Sequence, residues 1–166
     1  AMGVAMAAPG NYANPSSTHS EGRHSHALIA AAAGKLAALV GTTPDRLVWT
    51  SGATESDNLA ILGAAAYREN RGRHLVSMRT EHKAVTDPFT VLAKRGFEVT
   101  WVDPEPDGRL DLDKLAGALR DDTQLVSVMH VNNETGIVQD IAGIGALCRE
   151  RGILYHVDAA QSCGKL

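Results

Sequence analysis

The sequence predicts an α/β fold: a mostly parallel sheet with helices on both faces, in three layers. Two observations carry this expectation. Short apolar runs rich in Val, Leu and Ile alternate with longer stretches of helical period from residue 46 onward. Glycines stand at three of the expected helix ends, Gly72, Gly96 and Gly152, where the chain must turn back. At 166 residues, with 44% hydrophobic and 21% charged, the chain is long enough and apolar enough to bury a core.

The first helix is expected from about Ser20 to Val40, on the spacing of Leu28, Ala31, Ala32, Leu36, Leu39 and Val40, with Gly41 as its stop. Strands are expected at Arg46–Thr50, His74–Met78, Phe97–Val102, Gln124–Val131 and Ile153–Val157. Each is short enough for a strand buried on both faces. Between them, helices are expected over about Thr54–Arg71, Lys83–Arg95, Leu112–Arg120 and Asp140–Arg151. Pro88 falls in the first turns of its helix, where it is tolerated or introduces a kink. The stretch Asp103–Gly108 reads as a turn.

A net charge of −3 argues against nucleic acid or an anionic membrane surface as the main partner. No apolar run reaches the roughly 18 residues of a membrane span, because Gly34 and Lys35 interrupt the alanine-rich stretch. The first ten residues lack the basic flank and long apolar stretch of a signal peptide. Two cysteines, Cys148 and Cys163, do not make a disulfide framework, and free thiols point to the cytoplasm. Of the seven histidines, His24 and His26 are the only close pair. Positions two apart on a helix do not face one metal, so no metal site is expected.

In open α/β sheets, ligands bind outside the carboxyl ends of the strands. Polar clusters follow four of the expected strands: Ser51–Asp57, Thr80–His82, Asn132–Gly136 and Asp158–Ser162. In the first, Gly52 and Ala53 allow a close turn and Thr54 caps the next helix, whose free N–H groups suit a phosphate. The same residues also suit a plain N-cap, with Thr54 and Asp57 as a capping-box pair.

Asp158 directly follows an apolar run, so its carboxylate needs a cation or strong donor, such as a protonated pyridine nitrogen, unless it merely caps the next turn. His82 offers a flat, titratable ring for stacking and proton transfer, whereas His130 and His156, flanked by apolar residues, read as structural. Asn133 and Gln161 offer amides for a phenolate-like oxygen; singly, each reads as a loop former.

Taken together, TSGATESDNLA, TEHKAV, HVNNETG and YHVDAAQS closely resemble the cysteine desulfurases, pyridoxal-phosphate enzymes of the class V aminotransferase superfamily. The resemblance runs from Asn14-Pro15-Ser16-Ser17 to Leu166. It implies the large domain of a fold-type I enzyme, incomplete here, spanning 18–166 after an extended N-terminal segment at 1–17. It implies pyridoxal 5′-phosphate as cofactor: Ala53 and Thr54 on the phosphate, His82 stacked on the ring and moving protons, Asn133 and Gln161 on the phenolic oxygen, and Asp158 on the pyridine nitrogen.

The implied activity takes sulfur from L-cysteine, leaving alanine and an enzyme persulfide. The TEHKAV form is similar to the branch that feeds iron–sulfur cluster assembly and tRNA thiolation. Implied partners are a sulfur-acceptor or scaffold protein and a second copy or complementing chain.

The sequence also departs from the family. Its N-terminal Asp-Asn-Ala-Ala-Thr-Thr type motif is absent upstream of Asn14, and the Ser-Gly-His-Lys motif carrying the Schiff-base lysine, the mobile loop with the persulfide cysteine and the small domain are expected beyond Leu166. Lys35, Lys83, Lys94, Lys114 and Lys165 lie in no such motif. Cys163 matches no family nucleophile, and Cys148 sits with the apolar Ile141, Ile144 and Leu147 of its helix. Two strands that separate the Arg46–Thr50 strand from the other four in the family are not in this sequence, so open sheet edges and an exposed apolar face are expected. The rival readings are a non-catalytic assembly module that keeps the fold, and another class V enzyme such as a selenocysteine lyase or aminotransferase.

Overall fold

The computed structural model describes residues 13–166. Most of the expected extended segment at 1–17 therefore lies outside the described residues. The chain divides into two compact units, one ending at Trp49 and the other running from Thr50 to Leu166.

In the first unit a turn at Asn14–Ser17 leads into helix α1 (Ser20–Leu39). Asn14 Oδ1 accepts from the Ser16 N–H at 2.9 Å, and His19 Nδ1 caps the helix by accepting from the Gly22 N–H at 3.1 Å. Gly22 has no room for a side chain, because a Cβ there would overlap the Ser17 carbonyl. Leu28, Ile29, Leu36 and Leu39, the last 58% exposed, leave an apolar face of α1 open.

A 3-10 turn at Pro44–Arg46 follows. The strand expected over Arg46–Thr50 does not form. Leu47 is extended (φ −92°, ψ 135°), but no described strand pairs with this segment, and Val48 stays 71% exposed. Extended backbone becomes a strand only when its N–H and C=O groups find a ladder partner, so the apolar run alone misleads here.

The second unit is a four-stranded sheet in the order β2-β1-β3-β4. β1 (His74–Met78), β2 (Glu98–Val102), β3 (Thr123–Ser127) and β4 (Leu154–His156) pair in parallel throughout. The helices are α2 (Ala53–Tyr67), α3 (Lys83–Lys94), α4 (Leu112–Ala118) and α5 (Ile141–Glu150). Strand alternation separates two cores. Leu75, Leu125, Trp101 and Leu154 pack with Ile61 and Ala65 of α2 and Val85, Phe89 and Leu92 of α3. Val76, Met78, Val102 and Val126 face the other way, onto Leu115 of α4 and Ile144 and Cys148 of α5. The three-layer α/β/α arrangement is thus observed, with β2 and β4 as its edges.

Gly96 (φ 89°) and Gly152 (φ 64°) leave α3 and α5 through left-handed backbone that favours glycine. Pro88 sits inside α3 and cannot donate to the Ala84 carbonyl one turn back. Asn58 Nδ2 of α2 reaches that carbonyl at 3.5 Å, so a neighbouring helix partly fills the gap.

Buried polar groups fix the sheet. His74, with no exposed surface, bonds Thr123 Oγ1 through Nδ1 at 2.7 Å and Thr100 Oγ1 through Nε2 at 2.8 Å, joining β1 to both neighbours. Burial lowers its proton affinity, and the Arg120 charge adds to the effect.

After β1 the chain crosses outward to β2, then returns past β1 to β3 and on to β4. The order reverses between β1 and β3. A crevice at their carboxyl ends is the place where such sheets bind ligands.

Candidate active site

A cavity of about 140 Å³ opens at that crevice. Ala53, Thr54, His82, Asn133, Asp158 and Gln161, which the sequence nominates from four separate stretches, all line it. Asp57, Met129, Val131 and Ala160 complete the wall.

The start of α2 forms one end. Its N-cap is Gly52, and no side chain caps it, so the first N–H groups of the helix are left without intrahelical partners. Thr54 therefore lies within the first turn and does not cap the helix. Glu55 instead folds back, accepting from the Ser51 N–H at 2.7 Å and the Ser51 hydroxyl at 2.6 Å, which together hold its carboxyl below its ordinary proton affinity. Nor does Asp57 complete a capping box with Thr54: it is 4% exposed and faces His156, Oδ1 to Nε2 at 3.4 Å. His156 Nδ1 in turn meets Ser127 Oγ at 2.9 Å.

His82 caps α3. Its Nδ1 accepts from the Ala84 N–H at 3.1 Å, so the neutral ring carries its proton on Nε2. Asp158, 8% exposed, follows β4; its Oδ1 accepts from the Ala160 N–H at 2.9 Å, and its carbonyl from the His130 N–H at 2.9 Å. The cap reading of Asp158 therefore holds for one carboxylate oxygen.

Asn132 organises the loop that carries Asn133. Its Oδ1 accepts from the Glu134 and Thr135 N–H groups, both at 2.9 Å, and its Nδ2 donates to the Thr80 carbonyl at 3.0 Å.

Glu81 lies beneath this rim. It is 8% exposed; Oε1 accepts from the Met129 N–H at 2.8 Å, while Oε2 is buried without a partner. Burial, with Asp158 and Asp57 adding to it, pushes this carboxyl up to about 8 against the opposing Met129 hydrogen bond. Three roles escape the sequence reading: Glu81, Asn132 and the Asp57–His156 pair. A signal existed for the pair alone. Asp57 follows Thr54 by about one helical turn, and His156 precedes Asp158 by two residues, the spacing that keeps extended residues on one side.

No described group of three or more His, Cys, Asp or Glu side chains is arranged to hold a metal ion. None of the lysines lines the cavity. Cys148 is buried in the α5 core, which pushes its thiol up to about 11, and Cys163 is exposed. No described helix is long and apolar enough to cross a membrane.

A doubly covered parallel sheet with a cavity at its switch point defines an α/β domain, and its sequence assigns it further. The chain belongs to the class-V aminotransferase family, whose model matches residues 8–166. It is similar to the cysteine desulfurase IscS of Enterobacter sp. (strain 638), 54% identical over 158 residues that make up 95% of this chain and 39% of that protein. The IscS of Escherichia coli (strain K12 / DH10B) is 53% identical, over 97% of this chain and 40% of that protein.

Among solved structures, DndA from Streptomyces lividans matches with a TM-score of 0.86 and 45% identity, over 93% of this chain and 44% of that one. SspA in complex with cysteine gives a TM-score of 0.90 and 38% identity, over 98% and 48%. The chain spans about 40% of the length of the curated relatives it matches.

Proposed function

We propose that this chain forms the cofactor-binding wall of a cysteine desulfurase: a pyridoxal-phosphate enzyme converting L-cysteine and a protein thiol into alanine and a protein persulfide. The observation that carries the reading is the single cavity lined by Ala53, Thr54, His82, Asn133, Asp158 and Gln161. Its donor set fits pyridoxal 5′-phosphate. The uncapped first turn of α2 offers N–H groups and the Thr54 hydroxyl to a phosphate. A buried carboxylate, Asp158, suits a cationic ring nitrogen. Asn133 and Gln161 offer amide donors to the phenolic oxygen, and the His82 ring offers a flat face.

When bound, the cofactor supplies an electron sink for the bonds of the substrate's α-carbon. The chain's own part is positioning and proton handling. Asp158 keeps a proton on the ring nitrogen, so that the sink stays deep. His82 delivers or takes a proton at Nε2, because Nδ1 is engaged with the Ala84 N–H.

Neither cysteine is assigned as the persulfide thiol, since Cys148 is buried and holds its proton and Cys163 does not line the cavity. The partners that follow are L-cysteine, a sulfur-acceptor or scaffold protein, and a second copy or complementing chain. Free thiols support a cytoplasmic setting.

Equilibrium binding of pyridoxal 5′-phosphate tests the reading. Asp158→Ala removes a charge-assisted bond worth about 1.5–3 kcal/mol, so affinity should fall roughly 10- to 100-fold. Lys165→Ala should leave binding unchanged. Equal affinity of Asp158→Ala and wild type would sink the assignment of this cavity.

A further inference from the structure

The motif TEHKAV contributes His82 to the cavity, but its buried acid has no part in the mechanism above. Glu81 crosses from the end of β1 to the end of β3, where Oε1 takes the Met129 N–H at 2.8 Å. Met129 itself lines the cavity, so this bond sets part of the wall. Oε2 is buried with no partner.

Around Glu81 stand Asp57 on α2, Asp158 after β4 and Tyr155 on β4, with Arg79, His82 and Lys83 on its own segment. His130 adjoins Met129, and His156 faces Asp57. Neither Arg79 nor Lys83 bonds the carboxyl; Arg79 pairs with Asp103 at 2.8 Å. A buried carboxyl with two carboxylates for neighbours and no cation as partner is held most cheaply as the neutral acid.

We propose that Glu81 is a positioning residue carried as a neutral carboxylic acid, which fixes the Met129 wall and gives up its proton when a cationic ring occupies the Asp158 end of the cavity. The second half rests on the pyridoxal reading; the first does not. The physical reason is balance of charge. With the site empty, ionised Glu81 would add another negative charge to a cavity that already holds Asp57 and Asp158. A ring cation beside Asp158 removes that penalty, and favouring the ionised form of Glu81 is the same free energy as favouring the ligand. Burial pushes the empty-site carboxyl up to about 8, so binding should tighten as pH rises toward that value and level off above it.

Two measurements test this on the chain and on Glu81→Gln, which keeps an oxygen for the Met129 N–H and can never ionise. In the first, carboxyl carbons are followed by NMR without cofactor from about pH 4 to about pH 10 (the range that brackets both protonation limits). Wild type should show one glutamate titrating near 8 that is absent in E81Q; its titration in the ordinary carboxylate range would overturn the neutral-acid assignment.

In the second, pyridoxal 5′-phosphate affinity and proton release are measured by calorimetry in buffers of different ionisation enthalpy. The free cofactor's titrations are common to both proteins and cancel. A ring cation that lowers Glu81 by about one pH unit makes wild type roughly tenfold tighter than E81Q at about pH 9, with near-equal affinities at about pH 6. Equal affinities and equal proton release at every pH would refute the coupling while leaving the pyridoxal reading intact. No binding to either protein would instead refute the pyridoxal reading, and the coupling with it.

Discussion

Glu81→Gln should also change how stability depends on pH, and the size of the change follows from the burial of this one side chain. Raising a carboxyl from 4.5 to about 8 means that the folded chain holds a proton over a range in which the unfolded chain has lost it. The unfolded state then binds fewer protons, so stability falls as pH rises through this range. The loss accumulates at 1.36 kcal/mol per pH unit, reaches about 4–5 kcal/mol near pH 8, and stops growing above it. Against a typical domain stability of about 5–15 kcal/mol, that is a large fraction.

Glutamine has the shape of the neutral acid and keeps the acceptor for Met129, so it should match wild type at about pH 4 and below, where Glu81 is protonated in the folded and the unfolded chain alike. At about pH 9 it should be more stable by about 4–5 kcal/mol. Titrating groups that do not interact with Glu81 are common to both proteins and drop out of the difference. Urea unfolding across this pH range, with the slopes compared to confirm an unchanged transition, measures it directly. A difference that stays constant with pH would refute the reasoning, because a purely steric effect of the amide has no reason to titrate.

Other consequences follow from the same structure. His156→Ala leaves Asp57 buried without its partner and should cost about 3 kcal/mol in urea unfolding; adding Asp57→Ala should cost less than the sum of the two single changes. His74 titrates in the opposite sense to Glu81. Burial lowers its folded-state proton affinity below the ordinary 6.5, so its contribution to stability is intact above that pH and is lost as pH falls below it, and His74→Gln should flatten the acid limb of the stability curve. Phe89, fully buried and 5.6 Å from the Trp101 ring between centroids, should cost about 3–5 kcal/mol on truncation to Ala, with a change in tryptophan fluorescence.

How much of this is legible in the sequence depends on the kind of interaction that decides each feature. The strands at His74, Glu98, Thr123 and Leu154 are readable because apolar runs bounded by glycine and polar turns have few other stable states inside a three-layer fold. Arg46–Thr50 has a similar apolar signature and fails, because pairing is a property of the neighbour and not of the segment. The α1 stripe of Leu28, Leu36 and Leu39 fails differently: its period is right and its helix forms, but nothing in a period says what will cover it.

At the cavity, residues whose chemistry is visible in isolation, such as Asp158 after an apolar run and His82 after a strand, were nominated. Glu81 was not, because its meaning lies in contacts made 48 residues away with Met129 and in the acids on α2 and after β4.

Those acids also bear on how the cavity would orient a ligand. The first turn of α2 presents N–H groups and the positive end of a helix dipole, while Asp158, with Glu81 and Asp57 behind it, makes the other side acidic. Among the described residues, only His156 pairs with one of these carboxylates, and it faces Asp57 alone. On the pyridoxal reading, a ligand with a phosphate at one end and a protonated nitrogen in its ring satisfies both sides in one orientation and neither in the reverse. Orientation would then come from charge placement before any covalent bond is made. Asp158 is the direct contact in this scheme. In the same scheme Glu81, by holding a proton until the cation arrives, would keep the cavity from carrying a third carboxylate charge, for which no described residue is placed as a counter-ion.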